Sequence, residues 1–194
     1  MTEVALFPLS QVVLPRGRMK LRVFEPRYIR LVREACAGDR PFASALLNPY
    51  VAQSHPDRIF PVVTMVRVTD FNQLEDGLLG ITIEGVQRLE VSNRWQEPDG
   101  LHVASCEALP DWQDTDFIQD YQKLSHELAV VFEQNPQLEA LYPSAQWQNP
   151  CWLAQRWIEV LTMPPVLKNQ LMAAESAAPA LEALCSWLQS PQQA

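Results

Sequence analysis

At 194 residues the chain is long enough for one large domain or two small ones, with a sizeable buried core. Nearly half of it is apolar (47%), and 16 prolines against 6 glycines point to many short elements joined by rigid turns. That is a globular composition, and it excludes a disordered or collagen-like chain.

The net charge of −8 is unevenly placed: residues 1–40 carry eight Lys/Arg against four Asp/Glu, residues 41–110 four against nine, and residues 111–194 three against ten. The acidic total weighs against a nucleic-acid binder, which needs a broad basic face. Only the N-terminal quarter, with Arg16, Arg18, Lys20, Arg22, Arg27, Arg30, Arg33 and Arg40, departs from this; the plainer reading of those residues is a solvated surface. The cysteines stand at 36, 106, 151 and 185 with no C-x-x-C pair. With no signal peptide at the N-terminus, free thiols in a reducing, cytoplasmic compartment are expected. His55, His102 and His126 are scattered, so no metal site and no cofactor is expected. No apolar run approaches the roughly 20 residues of a membrane helix.

In chain order, the first ~110 residues read mostly as strands by alternation and β-branched content. Val4 to Leu9 is an apolar run. In Met19 to Phe24, Met19, Leu21 and Val23 face one way and Lys20, Arg22 and Phe24 the other. A helix follows, opened by Glu25-Pro26 and stopped by Gly38. Its apolar arc is Tyr28, Ile29, Leu31, Val32, Ala35 and Cys36, with Arg27, Arg30, Arg33 and Glu34 opposite. Phe42–Leu47 and Val62–Val68 are further strands, and Glu75-Asp76-Gly77 turns the chain into Leu78–Glu84 as a hairpin partner. Val86–Trp95, the turn Glu97-Pro98-Asp99-Gly100 and Leu101–Leu109 complete six or seven strands, a pattern that predicts a closed or nearly closed β-barrel with one inserted helix.

After Pro110 the texture becomes helical. Asp111 to Asp116 suits a loop and a helix N-terminus. Phe117, Tyr121, Leu124, Leu128 and Val131 form a stripe ended by Asn135-Pro136. Asn149-Pro150 caps and opens a helix through Leu161. Pro164-Pro165 breaks it, a shorter helix runs to about Ala174, and Pro179 opens a last one through Leu188. The expected fold class is α+β, with a barrel subdomain over residues 1–112 and a helical bundle over 113–194.

No nucleotide loop, G-x-S-x-G elbow or H-E-x-x-H pair is present. Lys123 and Ser125 are two apart on a helix and point in different directions. Carboxylates on a helical bundle are usually a solvated face, although a glycosidase-type pair formed in space stays open.

One resemblance is long and ordered. Leu6-Phe7-Pro8-Leu9, then Val12 to Gly17, then Leu21-Arg22-Val23-Phe24-Glu25-Pro26-Arg27-Tyr28 resembles the N-terminal, substrate-binding domain of Lon proteases. Gly85-Val86-Gln87-Arg88-Leu89 and the segment Trp157 to Leu161 with Pro164-Pro165, Lys168 and Gln170-Leu171-Met172 are similar to later parts of that domain. At Val63-Thr64 the family more often has glycine before the threonine. The resemblance covers about residues 4–188 and implies a PUA-like barrel followed by helices. It also implies recognition of unfolded or exposed polypeptide, in a quality-control setting with a protease or chaperone as partner. ATPase and protease activities are not implied, because the residues that would carry them are not in the sequence, and no enzymatic activity is expected.

Under that resemblance, accessible apolar residues beside a polar guide are the expected binding site: Leu14 and Pro15 in the early turn, Phe24, Tyr28, and Arg27 for an acidic group or terminal carboxylate. Glu25, Pro26, Gly85 and Arg88 are family-motif positions with a structural role; Glu25, Arg27 and Arg88 would form internal ion pairs, and Phe24 and Tyr28 would be core aromatics, if that segment only packs. Two alternatives remain, RNA binding through the basic quarter and a small-molecule or enzymatic cleft between barrel and bundle. The oligomeric state is not legible.

Overall fold

Strand β1 (Thr2–Leu9) has both faces covered: Val4 and Leu6 point one way, Ala5 and Phe7 the other, and all four are buried. Such a strand belongs inside a sheet packed on both sides. The computed structural model describes residues 1–113 and 115–189, which leaves Asp114 of the acidic stretch and residues 190–194 outside the described residues. The remaining strands are β2 (Arg18–Val23), β3 (Phe42–Leu47), β4 (Ile59–Gln73), β5 (Leu79–Gln96) and β6 (His102–Ala108). Their pairing order is β2-β5-β4-β3-β1-β6, and β6 also pairs with β5. Strands β1, β3, β4, β5 and β6 therefore close into a ring, and β2 is added on the outside of β5's first half. The β1–β3 pair is parallel and the others are antiparallel.

Among the described residues there are six strands and not seven, because the stretches 78–84 and 86–95 belong to one strand. Gly85 does not break the ladder. It lets a second backbone cross it: its N–H donates to the Gly17 carbonyl and its own carbonyl accepts from the Arg16 N–H, both at 2.8 Å. The crossing segment is a tight turn in which Gly17 N–H donates to the Leu14 carbonyl at 2.8 Å, with Pro15 second and Arg16 third at φ 61°. Proline second and a positive φ third is the geometry of a type II turn.

Helix α1 (Pro26–Ala37) starts and stops where the sequence predicts. Gly38 takes φ 81°, and its N–H and that of Asp39 close the last turn on the Ala35 and Glu34 carbonyls, the left-handed end that glycine adopts freely. Leu31 and Val32 are buried, and Tyr28 and Ala35 are packed against the same cluster. The predicted arc was too wide. Ile29 is 44% exposed and Cys36 is exposed, since only its central stripe meets the sheet. On the polar arc, Arg30 pairs with Glu34, Glu97 and Asp99, and Arg40 pairs with Glu34 and Glu97. These ions fasten α1 to the β5–β6 turn.

Two apolar clusters use the two faces of the strands. One joins Ala5, Phe7, Val23, Phe42, Val66, Ile81 and Ile83 to Leu31 and Val32 of α1. The other draws Val4, Leu6, Ala43, Ala45, Val63, Leu89, Ala104 and Cys106 from all five ring strands.

By contacts, residues Met1–Pro110 and Met163–Ala173 form one unit, and Asp111–Thr162 with the residues from Ala174 onward form another. Helix α5 (Pro165–Ala173), which the sequence reading groups with the helical part, thus sits with the strands. Asn169 Nδ2 donates to the Val62 carbonyl at 3.1 Å, and Arg88 Nη1 donates to the Met172 carbonyl at 2.7 Å. In the other unit, helices α2 (Tyr121–Glu133), α3 (Pro136–Glu139), α4 (Pro150–Val160) and α6 (Ala178–Gln189) form the helical part. Asn149 caps α4, its Oδ1 accepting from Trp152 N–H at 2.8 Å. The α2 stripe buries Leu124, Leu128 and Phe132; Phe132 takes the place the sequence assigned to Val131, and joins Tyr142, Trp147 and Trp152 in an aromatic cluster.

Candidate functional site

The alternation of β2 decides what the chain presents at the start of α1. Lys20 and Arg22 are exposed, Val23 is buried, and Met19 and Leu21 pack on the core. One residue beyond the strand, Phe24 continues the outward phase and is 64% exposed. Glu25 then caps α1 from extended backbone, and its carbonyl accepts the N–H groups of Tyr28 and Ile29 at 2.9 and 3.0 Å.

Arg27 and Tyr28 occupy the first turn of α1. The Tyr28 ring stacks on Phe7 with centroids 4.4 Å apart and planes at 20°, and partial burial raises its phenol pKa above the usual value. The Arg27 guanidinium lies over the Tyr28 ring, 4.9 Å from its centroid. Its Nη2 is 2.6 Å from Glu25 Oε2, and its Nη1 donates to the Gly100 carbonyl at 3.0 Å. Arg27 is therefore held in place before any ligand arrives, with its side chain still 28% accessible.

These residues border an open pocket of about 470 Å³, whose wall combines Leu9, Leu21, Phe24 and Tyr28 with the cationic side chains of Arg22, Arg27 and Arg58. Glu25 is the one carboxylate in that lining, so the pocket carries a positive balance on an acidic chain. His102 also lines it. Its pKa is lowered, first by burial and then by the positive charges of Arg94 and Arg27. The arrangement can hold an extended apolar segment and orient a polar or acidic group beside it. Ser10 also lines the pocket, while His102 Nε2 lies 3.0 Å from Gln96 Nε2. Among the described residues, no group of three or more His, Cys, Asp or Glu is placed to hold a metal ion.

Of the five sequence-derived binding candidates, Phe24, Arg27 and Tyr28 come together. Leu14 and Pro15 do not join them. Leu14 is fully buried and Pro15 is buried, because their turn is the segment that crosses Gly85. Pro26 starts α1 and is exposed, and Glu25 pairs with Arg27. Arg88 belongs elsewhere, 1% exposed, donating to the Met172 and Pro110 carbonyls. Phe24 is too exposed to be a core aromatic. The sequence reading missed Leu9, Arg58 and His102, which come from separate strands and loops and carry no shared local signal. Leu21 and Arg22 also line the pocket and were not named as site residues, because the β2 alternation sends their side chains to opposite faces. The basic quarter is largely paired with acids: Arg18 with Glu84, Arg22 with Asp76, Arg27 with Glu25, and Arg30 and Arg40 with Glu34 and Glu97.

Comparison with known proteins agrees with this architecture. The family model of the ATP-dependent protease La (LON) substrate-binding domain matches residues 3–190. A Lon protease of Rhizobium meliloti (strain 1021) is 26% identical over an alignment of 192 residues, and the match covers 93% of this chain and 23% of that protein. The chain therefore spans about a quarter of that relative's length. Among solved structures, a Lon N-terminal domain protein from Xanthomonas campestris superposes with a TM-score of 0.73 at 26% identity, covering 96% of this chain and 99% of that one. The N-terminal domain of a Mycobacterium avium complex Lon protease shares the fold, with a TM-score of 0.65 at 14% identity over 95% and 97% of the two chains. With the ring of strands, the inserted helix and nearly the full length matched, this chain belongs to the Lon substrate-binding domain family.

Proposed function

We propose that this protein recognises exposed or unfolded polypeptide through the pocket at the β2–α1 junction and performs no chemistry on it. The observation that carries this reading is Phe24, a large aromatic left 64% exposed beside a cationic group already fixed by Glu25 and Gly100. An exposed aromatic beside a pre-organised guanidinium is the usual make-up of a recognition hot spot. Family membership supports the substrate class. A quality-control adaptor handing clients to a protease or chaperone is the role that follows. The four free cysteines fit a cytoplasmic setting, and among the described residues no helix is long and apolar enough to cross a membrane. The ion pairs that occupy the basic quarter count against an RNA surface, since a guanidinium bound to carboxylates is poorly placed for phosphate.

Competition binding tests the reading. Fluorescence anisotropy of a labelled, permanently unfolded polypeptide should rise on titration with this protein, and unlabelled apolar peptides should reverse it. Phe24→Ala should weaken binding about ten-fold, and Arg27→Ala should weaken it selectively for segments with an acidic group. Unchanged affinity in both variants would move the site elsewhere.

A further inference from the structure

Among the described residues, strand β2 has a neighbour on one side only. It pairs with β5, while the other five strands close without it. The register tells which backbone groups this leaves over. Gly85 N–H donates to the Gly17 carbonyl, and residue pairs in an antiparallel ladder alternate between bonded and non-bonded. Counted in steps of two along the Arg18↔Glu84 register, Met19, Leu21 and Val23 exchange bonds with β5. The amides and carbonyls of Lys20 and Arg22 point away from it. Among the described residues, no backbone hydrogen bond from another segment reaches those groups. Both residues are exposed. This edge also runs into the pocket, since Leu21, Arg22 and Phe24 line it.

We propose that a client polypeptide docks by adding an extended strand to the open edge of β2, its backbone bonding to Lys20 and Arg22 and one of its side chains reaching the pocket beside Phe24. This rests on the polypeptide-recognition reading and supplies its mode. Strand addition draws its affinity from main-chain groups that every polypeptide has, while the pocket selects a side chain; one site can thus take many sequences. Charge sets the occupant. A second copy pairing antiparallel through β2 would place Lys20 and Arg22 against their own counterparts, cation facing cation, an arrangement that protects edges from self-association. An extended client segment with a neutral or acidic residue opposite Lys20 meets no such repulsion.

The test separates backbone from side chain. Lys20→Pro removes an outward N–H and spares the β2–β5 bonds, because proline is tolerated on an edge strand where its nitrogen faces solvent. The variant should keep the far-ultraviolet circular dichroism of the parent and bind the labelled unfolded polypeptide about ten-fold more weakly or worse. Lys20→Ala should stay within about three-fold, as a rim charge contributes little. Parent-like binding by a folded Lys20→Pro overturns the proposal. Should that variant not fold, the unmodified protein is titrated with the tightest-binding short segment of the same polypeptide, N-methylated at one position at a time. Losses at alternate positions are expected, and indifference at every position overturns strand addition. A parent protein that sediments as a dimer and becomes monomeric on Lys20→Pro would assign the edge to a second copy and overturn it as well. A parent protein that binds no polypeptide fails at the earlier step and overturns the recognition reading itself, whereas binding that survives both backbone tests overturns only the mode.

Discussion

A Cβ on residue 85 would stand 2.0 Å from the Leu14 carbonyl oxygen and 3.1 Å from the Pro15 nitrogen, backbone against backbone with no flexible side chain to yield. Gly85→Ala should therefore lower stability by about 3 kcal/mol, read as a fall in the urea midpoint. Gly38→Ala meets nothing within 4 Å but must hold φ 81°, and should cost only about 1 kcal/mol. Phe24→Ala should leave stability within about 0.5 kcal/mol of the parent while weakening polypeptide binding, a split that a core aromatic would not give. Phe24 was legible because β2 alternates cleanly and the outward phase continues past the strand's end. The burial of Leu14 and Pro15 was not. A Pro-Arg-Gly turn reads as surface, and what covers it is a glycine far along the chain.

At the scale of elements, α1 is joined to the β5–β6 turn by charge as well as by its apolar stripe. Glu97 is pulled down to about 2 from 4.5, first by the hydrogen bond from Arg40 and then by that from Arg30. A carboxylate whose pKa is lower in the folded chain stabilises the fold above its unfolded pKa, and that stabilisation is lost as pH falls through the folded value. Its side chain is 25% exposed, so solvent screening reduces the effect. Glu97→Gln should cost about 1–2 kcal/mol at pH 7, and its gap from the parent should narrow as pH falls from 4.5 toward 2, measured by urea unfolding across that range. Arg88 plays the corresponding part for α5. Its buried guanidinium reaches the Met172 and Pro110 carbonyls with a fork that lysine cannot reproduce, and Arg88→Lys should cost about 2–3 kcal/mol. Helix α1 was readable to the residue from Glu25-Pro26 and Gly38. The partners of its polar arc were not, since Glu97 and Asp99 sit on a turn that only the closed ring of strands brings near.

Over the whole molecule, what was legible is the order of elements and the family motif; what was not is which distant pieces meet. The strand run before Pro110 and the helical run after it follow from alternation, proline placement and caps. The grouping of α5 with the strands depends on Asn169 and Met172 finding Val62 and Arg88, and a helix's own periodicity does not record its partner. The same holds for the pocket, whose Leu9, Arg58 and His102 are gathered by topology. Charge acts at this scale too. An acidic chain whose N-terminal arginines are largely engaged by carboxylates should bind through apolar contact and backbone pairing, with little response to salt.

That expectation sets the most direct measurement: titration of this protein into a labelled, permanently unfolded polypeptide and, in parallel, into a single-stranded RNA, each at low and at physiological salt. Binding to the polypeptide alone, nearly unchanged between the two salts and weakened by Phe24→Ala, is the result this account requires. Binding to the RNA alone, falling steeply with salt, would contradict it and make the basic quarter the functional surface.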